Sequence, residues 1–152
     1  DWEVYAPWDE ESYLIPSAFY DYFYVITNTS TPSLVNRILG FSIGNPASTP
    51  ITSVGYLDDD DEDGVDPVLF FTDPAGTFFL FSPLPGFVSD SFSNILFLTS
   101  PYPPGIVPSG LLALGGASDT ESLPGPLIPE PATMALLGSG LLGFVGLRKK
   151  RS

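Results

Sequence analysis

At 152 residues the chain is long enough for one domain with a modest core, and 18 acidic against 5 basic residues give it a net charge of −13. It has no cysteine and no histidine, which excludes a disulfide framework, a thiol nucleophile, a cysteine metal site and the commonest general base. The acidic balance also excludes nucleic acid as a partner, because phosphate contacts are carried by Lys and Arg.

The sequence opens at Asp1, with neither Met nor a basic, apolar leader. Residues Asp1 to Glu11 are acidic and aromatic, and read as the margin of a domain. The first clear pattern follows. Tyr20, Tyr22, Tyr24 and Ile26 alternate with Asp21, Phe23, Val25 and Thr27, a period-2 run rich in aromatic and β-branched residues. Asn28-Thr29-Ser30-Thr31-Pro32 then supplies turn chemistry, and its Asn-Thr-Ser sequon is read as part of that turn.

Further strands are expected at Ile38–Ile43, Val54–Leu57, Val68–Thr72, Thr77–Ser82, Asn94–Ser100 and Leu111–Leu114. Turn signals separate them: Gly44-Asn45-Pro46, Asp73-Pro74-Ala75-Gly76, Pro83-Leu84-Pro85-Gly86 and Pro101-Tyr102-Pro103-Pro104-Gly105. Short strands punctuated in this way predict a mainly β fold, a single antiparallel β-sandwich over residues 1–114. Residues 115–127 are Gly, Pro, Ser and acid, and read as an extended linker. Few charges and many aromatic residues leave enough apolar surface to bury, which argues against disorder.

Three groups of side chains are candidates for chemistry. Asp58 to Asp63 is an unbroken run of carboxylates, and within it Asp59, Asp61, Asp63 and Gly64 fit Asp-x-Asp-x-Asp-Gly, the opening of a calcium loop. The twelfth position from Asp59 is Phe70, where an EF-hand needs a bidentate Glu, and no flanking helices are apparent, so an EF-hand is excluded. The competing reading is a solvated acidic loop that keeps sheet edges apart. Calcium is the only cofactor the sequence suggests.

Trp2, Tyr5, Trp8, Tyr13, Tyr20, Tyr22 and Tyr24 offer faces on which a sugar could stack. Alternation along the tyrosine run points instead to a sheet face packed on a core. A glycosidase would need two carboxylates, from Glu3, Glu10, Glu11 or Asp21, yet nothing in the sequence pairs two of them. The expectation is a protein without enzymatic activity.

Residues 128–152 divide into three parts. Pro129 and Pro131 flank Glu130, lack amide protons and hold Ile128 and Glu130 extended; Ala132 and Thr133 follow. Ala132 to Leu147 are 16 uncharged residues, roughly 24 Å of helix at ~1.5 Å per residue. That is short for a bilayer core of about 30 Å, a gap that snorkelling basic residues narrow. Ala135, Ser139 and Gly143 form a small-residue ladder of the kind that lets helices approach closely in lipid. Arg148, Lys149, Lys150 and Arg151 supply four of the five cationic residues, the other being Arg37. The positive-inside rule places this cluster in the cytoplasm and the preceding chain across the membrane.

Pro129-Glu130-Pro131-Ala132-Thr133, with Leu136-Leu137-Gly138, Gly140-Leu141, Gly143 and the basic cluster behind it, resembles the PEP-CTERM sorting signal of Gram-negative bacteria. A sortase signal has the same plan but needs Leu-Pro-x-Thr-Gly, which Leu127-Ile128-Pro129-Glu130-Pro131 lacks. A GPI signal lacks the basic terminus. The resemblance implies export through the inner membrane, with a signal peptide upstream of Asp1, and recognition and trimming by an exosortase. It also implies delivery to the cell surface or its exopolysaccharide matrix. Together with the acidic β-rich domain, it leads to an expectation of an exported protein with a structural or adhesive role. The alternative is a calcium-dependent polysaccharide-binding module that uses the Asp58–Asp63 loop.

Overall fold

The computed structural model describes residues 1–10, 14, 18–44, 49–58, 64–82, 87–116 and 118–128. Within them the chain forms nine strands: β1 (Trp2–Tyr5), β2 (Tyr20–Tyr24), β3 (Ile38–Gly44), β4 (Ser53–Leu57), β5 (Pro67–Asp73), β6 (Gly76–Phe81), β7 (Ile95–Ser100), β8 (Pro104–Ala113) and β9 (Ser118–Pro126). A single 3-10 turn, Leu34–Asn36, joins β2 to β3, and the described residues contain no α-helix. The strands make two antiparallel sheets, in the orders β1-β2-β7-β4 and β5-β6-β3-β8-β9.

Local chemistry explains the tightest connection. β5 and β6 meet in a two-residue turn, with Asp73 opposite Gly76. The Asp73 Oδ1 atom accepts from the Ala75 amide at 2.7 Å and from the Gly76 amide at 3.0 Å, an Asx-type turn. Gly76 has to be glycine, since a Cβ there would lie 2.5 Å from the Ile43 carbonyl oxygen of β3.

The two sheets share one core. Tyr22 and Tyr24 of β2 and Leu96 and Leu98 of β7 pack with Phe41 and Ile43 of β3, Phe79 and Phe81 of β6, and Val107 of β8. Ile26, Ile38 and Phe87 belong to the same cluster. Each fully buried side chain of this kind stabilises the fold by about 1.5–3 kcal/mol. Tyr24 and Phe41 bring their rings to 5.7 Å across the gap between the sheets. The tyrosines carry a polar group into this environment, and each hydroxyl has a partner. Tyr24 Oη donates to the Pro124 carbonyl at 2.6 Å and Tyr22 Oη to the Tyr102 carbonyl at 2.7 Å. Packing and these two bonds together fix the register of β2 against the far sheet.

Three expectations about organisation change. Residues 115–127 are not a tether: Ser118–Pro126 is β9, paired with β8 over nine positions from Leu112↔Ser118 to Pro104↔Pro126. The strand expected at Leu111–Leu114 begins seven residues earlier, at Pro104. Trp2–Tyr5 is a strand as well, paired with β2 from Trp2↔Tyr24 to Tyr5↔Asp21. Sheet structure therefore runs to Pro126, three residues short of Pro129.

Candidate functional site

The acidic loop leaves β4 at Asp58 and returns through Gly64, Val65 and Asp66 into β5. Its flanks are stitched to the segment before β7. The Val65 amide donates to the Phe92 carbonyl at 2.8 Å, and the Asn94 amide donates to the Val65 carbonyl at 3.2 Å. Asn94 is buried, and its Nδ2 donates to Asp66 Oδ1 at 2.7 Å and to Asp58 Oδ1 at 3.3 Å. One amide thus binds a carboxylate from each end of the loop and offsets their mutual repulsion.

Gly64 has a second role here. A Cβ at this position would overlap the Asn94 carboxamide, so the glycine that the calcium motif assigns to a sharp turn is also required for close approach. Sequence reasoning missed Asn94, which stands at the head of an apolar run with nothing to mark it. Asn94→Ala removes both charge-assisted bonds, and the expected cost is about 1.5–3 kcal/mol, read from the urea midpoint at constant m. Secondary structure is expected to survive, since the ladder of β7 begins at Ile95.

Asp59, Asp61 and Asp63, the candidate calcium ligands, lie outside the described residues. Among the described residues no group of three or more His, Cys, Asp or Glu side chains is arranged to hold a metal ion.

The aromatic candidates separate by burial. Tyr22 and Tyr24 are fully buried in the core and present no face to a ligand. Tyr5 packs edge-on against Phe23 at 5.7 Å and donates to Glu3 Oε2 at 2.8 Å. Trp2 and Trp8 are exposed, Trp8 at a backbone φ of 64° in the left-handed region. Tyr13 lies outside the described residues. Trp2, Asp1, Thr27, Ser109, Asp119 and Glu121 contribute to the lining of a pocket of about 180 Å³. That is smaller than the roughly 300–1,000 Å³ of sites that enclose a drug-sized ligand.

Among the carboxylates considered for glycoside chemistry, Glu3 and Asp21 occupy β1 and β2, two register positions apart. Glu3 is exposed, whereas Asp21 is buried at 2 % exposure. Glu10 stands in the β1–β2 connection and Glu11 lies outside the described residues. Of the described three, Glu3 and Asp21 stand on neighbouring strands and Glu10 lies outside the sheet.

The chain leaves the five-stranded sheet abruptly. Pro124, Gly125 and Pro126 are buried, and the Leu127 amide donates to the Pro103 carbonyl at 3.1 Å. Ile128 is the last described residue, so Pro129, Glu130, Pro131, Ala132, Thr133, the apolar stretch Ala132 to Leu147 and Arg148, Lys149, Lys150 and Arg151 lie outside the described residues. No helix among the described residues is long and apolar enough to cross a membrane.

Comparison with the curated proteins and with the solved structures finds no match to this chain. Comparison with protein-family models does: residues 127–151 match the PEP-CTERM protein-sorting motif. The match starts at Leu127, the residue whose amide closes the sheet, and covers the proline-flanked glutamate, the apolar run and the basic cluster. A motif of this kind implies export and exosortase processing toward the cell surface. The chain is a protein that carries a PEP-CTERM sorting motif.

Proposed function

We propose that this chain is an exosortase substrate, carried across the inner membrane, held there by a short helix over Ala132 to Leu147, trimmed, and released to the cell surface or exopolysaccharide matrix. The observation that carries this reading is the match of residues 127–151 to the sorting motif. Arg148 to Arg151 would remain cytoplasmic until processing, by the positive-inside rule. The paired sheets with their common core support a β-sandwich ectodomain, and its proposed role is structural or adhesive rather than enzymatic. Because β9 runs to Pro126, the folded domain would sit close against the membrane surface before processing, with no long tether between them.

The test is a change in the proline pair. Pro129→Ala with Pro131→Ala restores two amide protons and lets the apolar helix extend backward through Glu130. In a host that contains exosortase the double variant is expected to accumulate uncut in the inner membrane, with processing reduced at least tenfold by immunoblot. Normal processing would remove the reading.

Calcium-dependent binding of a polysaccharide is the second reading. It draws on the spacing of Asp59, Asp61 and Asp63 and on the way Asn94 holds Asp58 and Asp66 at the base of the loop. Calorimetric titration with calcium discriminates: neither heat nor a shift in melting temperature would dispose of it.

A further inference from the structure

The five-stranded sheet has two free edges, and they are built differently. β9 carries Asp119, Glu121, Pro124 and Pro126, charges and prolines of the kind that discourage another strand from pairing. β5 reads Pro67-Val68-Leu69-Phe70-Phe71-Thr72-Asp73, with no charge and no proline from Val68 to Thr72. Every residue from Val68 to Asp73 is exposed, with Val68 at 66 % and Leu69 at 52 %. The remaining edges are shorter: β1 has four residues and includes Glu3, and β4 has five and includes Gly55.

We propose that β5 is the pairing edge for a second copy of this chain, antiparallel about a two-fold axis at Phe70, which would join two five-stranded sheets into one of ten. The sequence of the strand is self-complementary in that register. Phe70 faces its own equivalent, Leu69 faces Phe71, Val68 faces Thr72, and Asp73 faces Pro67 rather than another acid. Apolar and β-branched cross-strand pairs of this kind are the stabilising unit of an antiparallel ladder. The side chains that flank them continue the pattern. Phe71 stacks on Phe78 at 5.1 Å, and Leu69 lies opposite Leu80. Pairing would therefore extend one apolar row across the axis, from Leu80 and Leu69 to Phe71 and Phe78 of the other copy. The one irregularity, between Pro67 and Leu69, stands at the end of the strand and leaves Leu69 to Asp73 in regular register.

Charge works against pairing here, and only weakly: in this register Asp73 of each copy stands one position from Asp66 of the other. Before Glu130 the chain has a single basic residue, Arg37, so identical copies repel over most of their surface. In the two-fold arrangement the acidic loops that precede each β5 emerge at opposite ends of the paired strands. Seven residues at ~3.3 Å separate them by roughly 20 Å, beyond the Debye length of about 8 Å at physiological ionic strength. One strand edge buries only a few hundred Å² per copy, which places the dimer in the weak, concentration-dependent class. Its association is expected to strengthen with salt.

The chain has no cysteine, so engineered thiols report contacts without background. Directly opposed residues of antiparallel strands have Cα atoms about 4.5–5.5 Å apart, within disulfide range. With the full chain in mild detergent, Phe70→Cys is expected to form a disulfide-linked dimer under gentle oxidation, at least ten times more than Thr72→Cys. Phe70 also packs on Tyr56 and Phe79, and its replacement removes both ring contacts. Mixing Leu69→Cys with Phe71→Cys chains keeps that ring and is expected to give a crosslinked heterodimer. Adding Leu69→Lys to Phe70→Cys is expected to lower crosslinking at least tenfold, and Leu69→Lys alone to shift the sedimentation coefficient to that of the monomer. A folded Phe70→Cys chain that stays uncrosslinked, together with an uncrosslinked mixture, would overturn the proposal. So would a dimer indifferent to Leu69→Lys, which would place association in the apolar segment 132–147, and a monomer at every concentration, which would leave β5 to a strand of some other protein.

Discussion

Tyr24→Ala is expected to lower the stability of the domain by about 4 kcal/mol, close to the whole stability of a small fold. Tyr24 is 1 % exposed, packs on Phe41 and donates to the Pro124 carbonyl of β9. Truncation therefore opens a ring-sized cavity between the sheets and leaves a buried carbonyl without its donor. Tyr24→Phe separates the two effects: the ring stays, the bond goes, and the expected cost is about 1–2 kcal/mol. Urea midpoints of the two variants at constant m measure the difference.

The same residue makes the fold sensitive to alkali. Burial, and to a smaller extent the neighbouring Tyr22, pushes the Tyr24 hydroxyl above its ordinary value of about 10. Burial and the neighbouring Tyr20 act on Tyr22 in the same direction. The native state thus keeps protons that the unfolded chain releases. Stability from these groups is fully present below pH ~10 and falls as pH rises above it, by up to about 1.4 kcal/mol per pH unit for Tyr24. Tyr24→Phe is expected to flatten that slope.

The second large effect is expected at Asn28. This residue is buried at 3 % exposure and uses its whole carboxamide. Nδ2 donates to the Asn36 and Phe87 carbonyls, both at 3.1 Å, while Oδ1 accepts from the Ser30 amide at 3.2 Å and the Ser30 hydroxyl at 2.6 Å. It ties the end of β2 to the 3-10 turn and to the segment before β7. Asn28→Asp keeps the shape and replaces the donor with an anion facing two carbonyl oxygens. The expected loss is about 3–5 kcal/mol at pH 7.

The sign with pH follows from that environment. A carboxylate there is easier to protonate in the native state than in the unfolded chain. The penalty is therefore smallest below the unfolded Asp value of about 4 and grows as pH rises. Urea unfolding of the variant against the parent at pH 3.5 and pH 7 measures it. An unchanged difference between the two would show that the Asn28 donor contacts are unimportant.

What could be read in the sequence follows from where the information is stored. Strands β2 to β7 announce themselves through aromatic and β-branched runs; the structure places β3 to β7 within one residue of the expected bounds, while β2 ends at Tyr24, three residues before the end of its alternating run. The β8–β9 ribbon was hidden because Pro104, Gly105, Pro108, Pro124, Gly125 and Pro126 spell a turn or tether locally. Its geometry makes those residues tolerable. β3 pairs with β8 only from Ser109 to Ala113, so the half of β8 that holds Pro104 and Pro108 pairs with β9 alone. A proline there removes no ladder bond on the open side. β9 is itself an outer strand. Asn28 was legible as a turn residue but not as a buried clamp, since its partners Asn36 and Phe87 are 8 and 59 positions away. The sorting motif shows the opposite case. It is a linear signal in which proline restriction, apolar length and basic charge are adjacent, so every part of it is visible without the fold.

Processing by exosortase is the property to measure. The chain is expressed in a host that contains exosortase and in the same host with that enzyme deleted, and its intact mass and membrane fraction are compared. A form shortened within residues 127–151 and released from the membrane is expected in the first host, and a full-length membrane-bound form in the second. The same full-length mass in both hosts would contradict it.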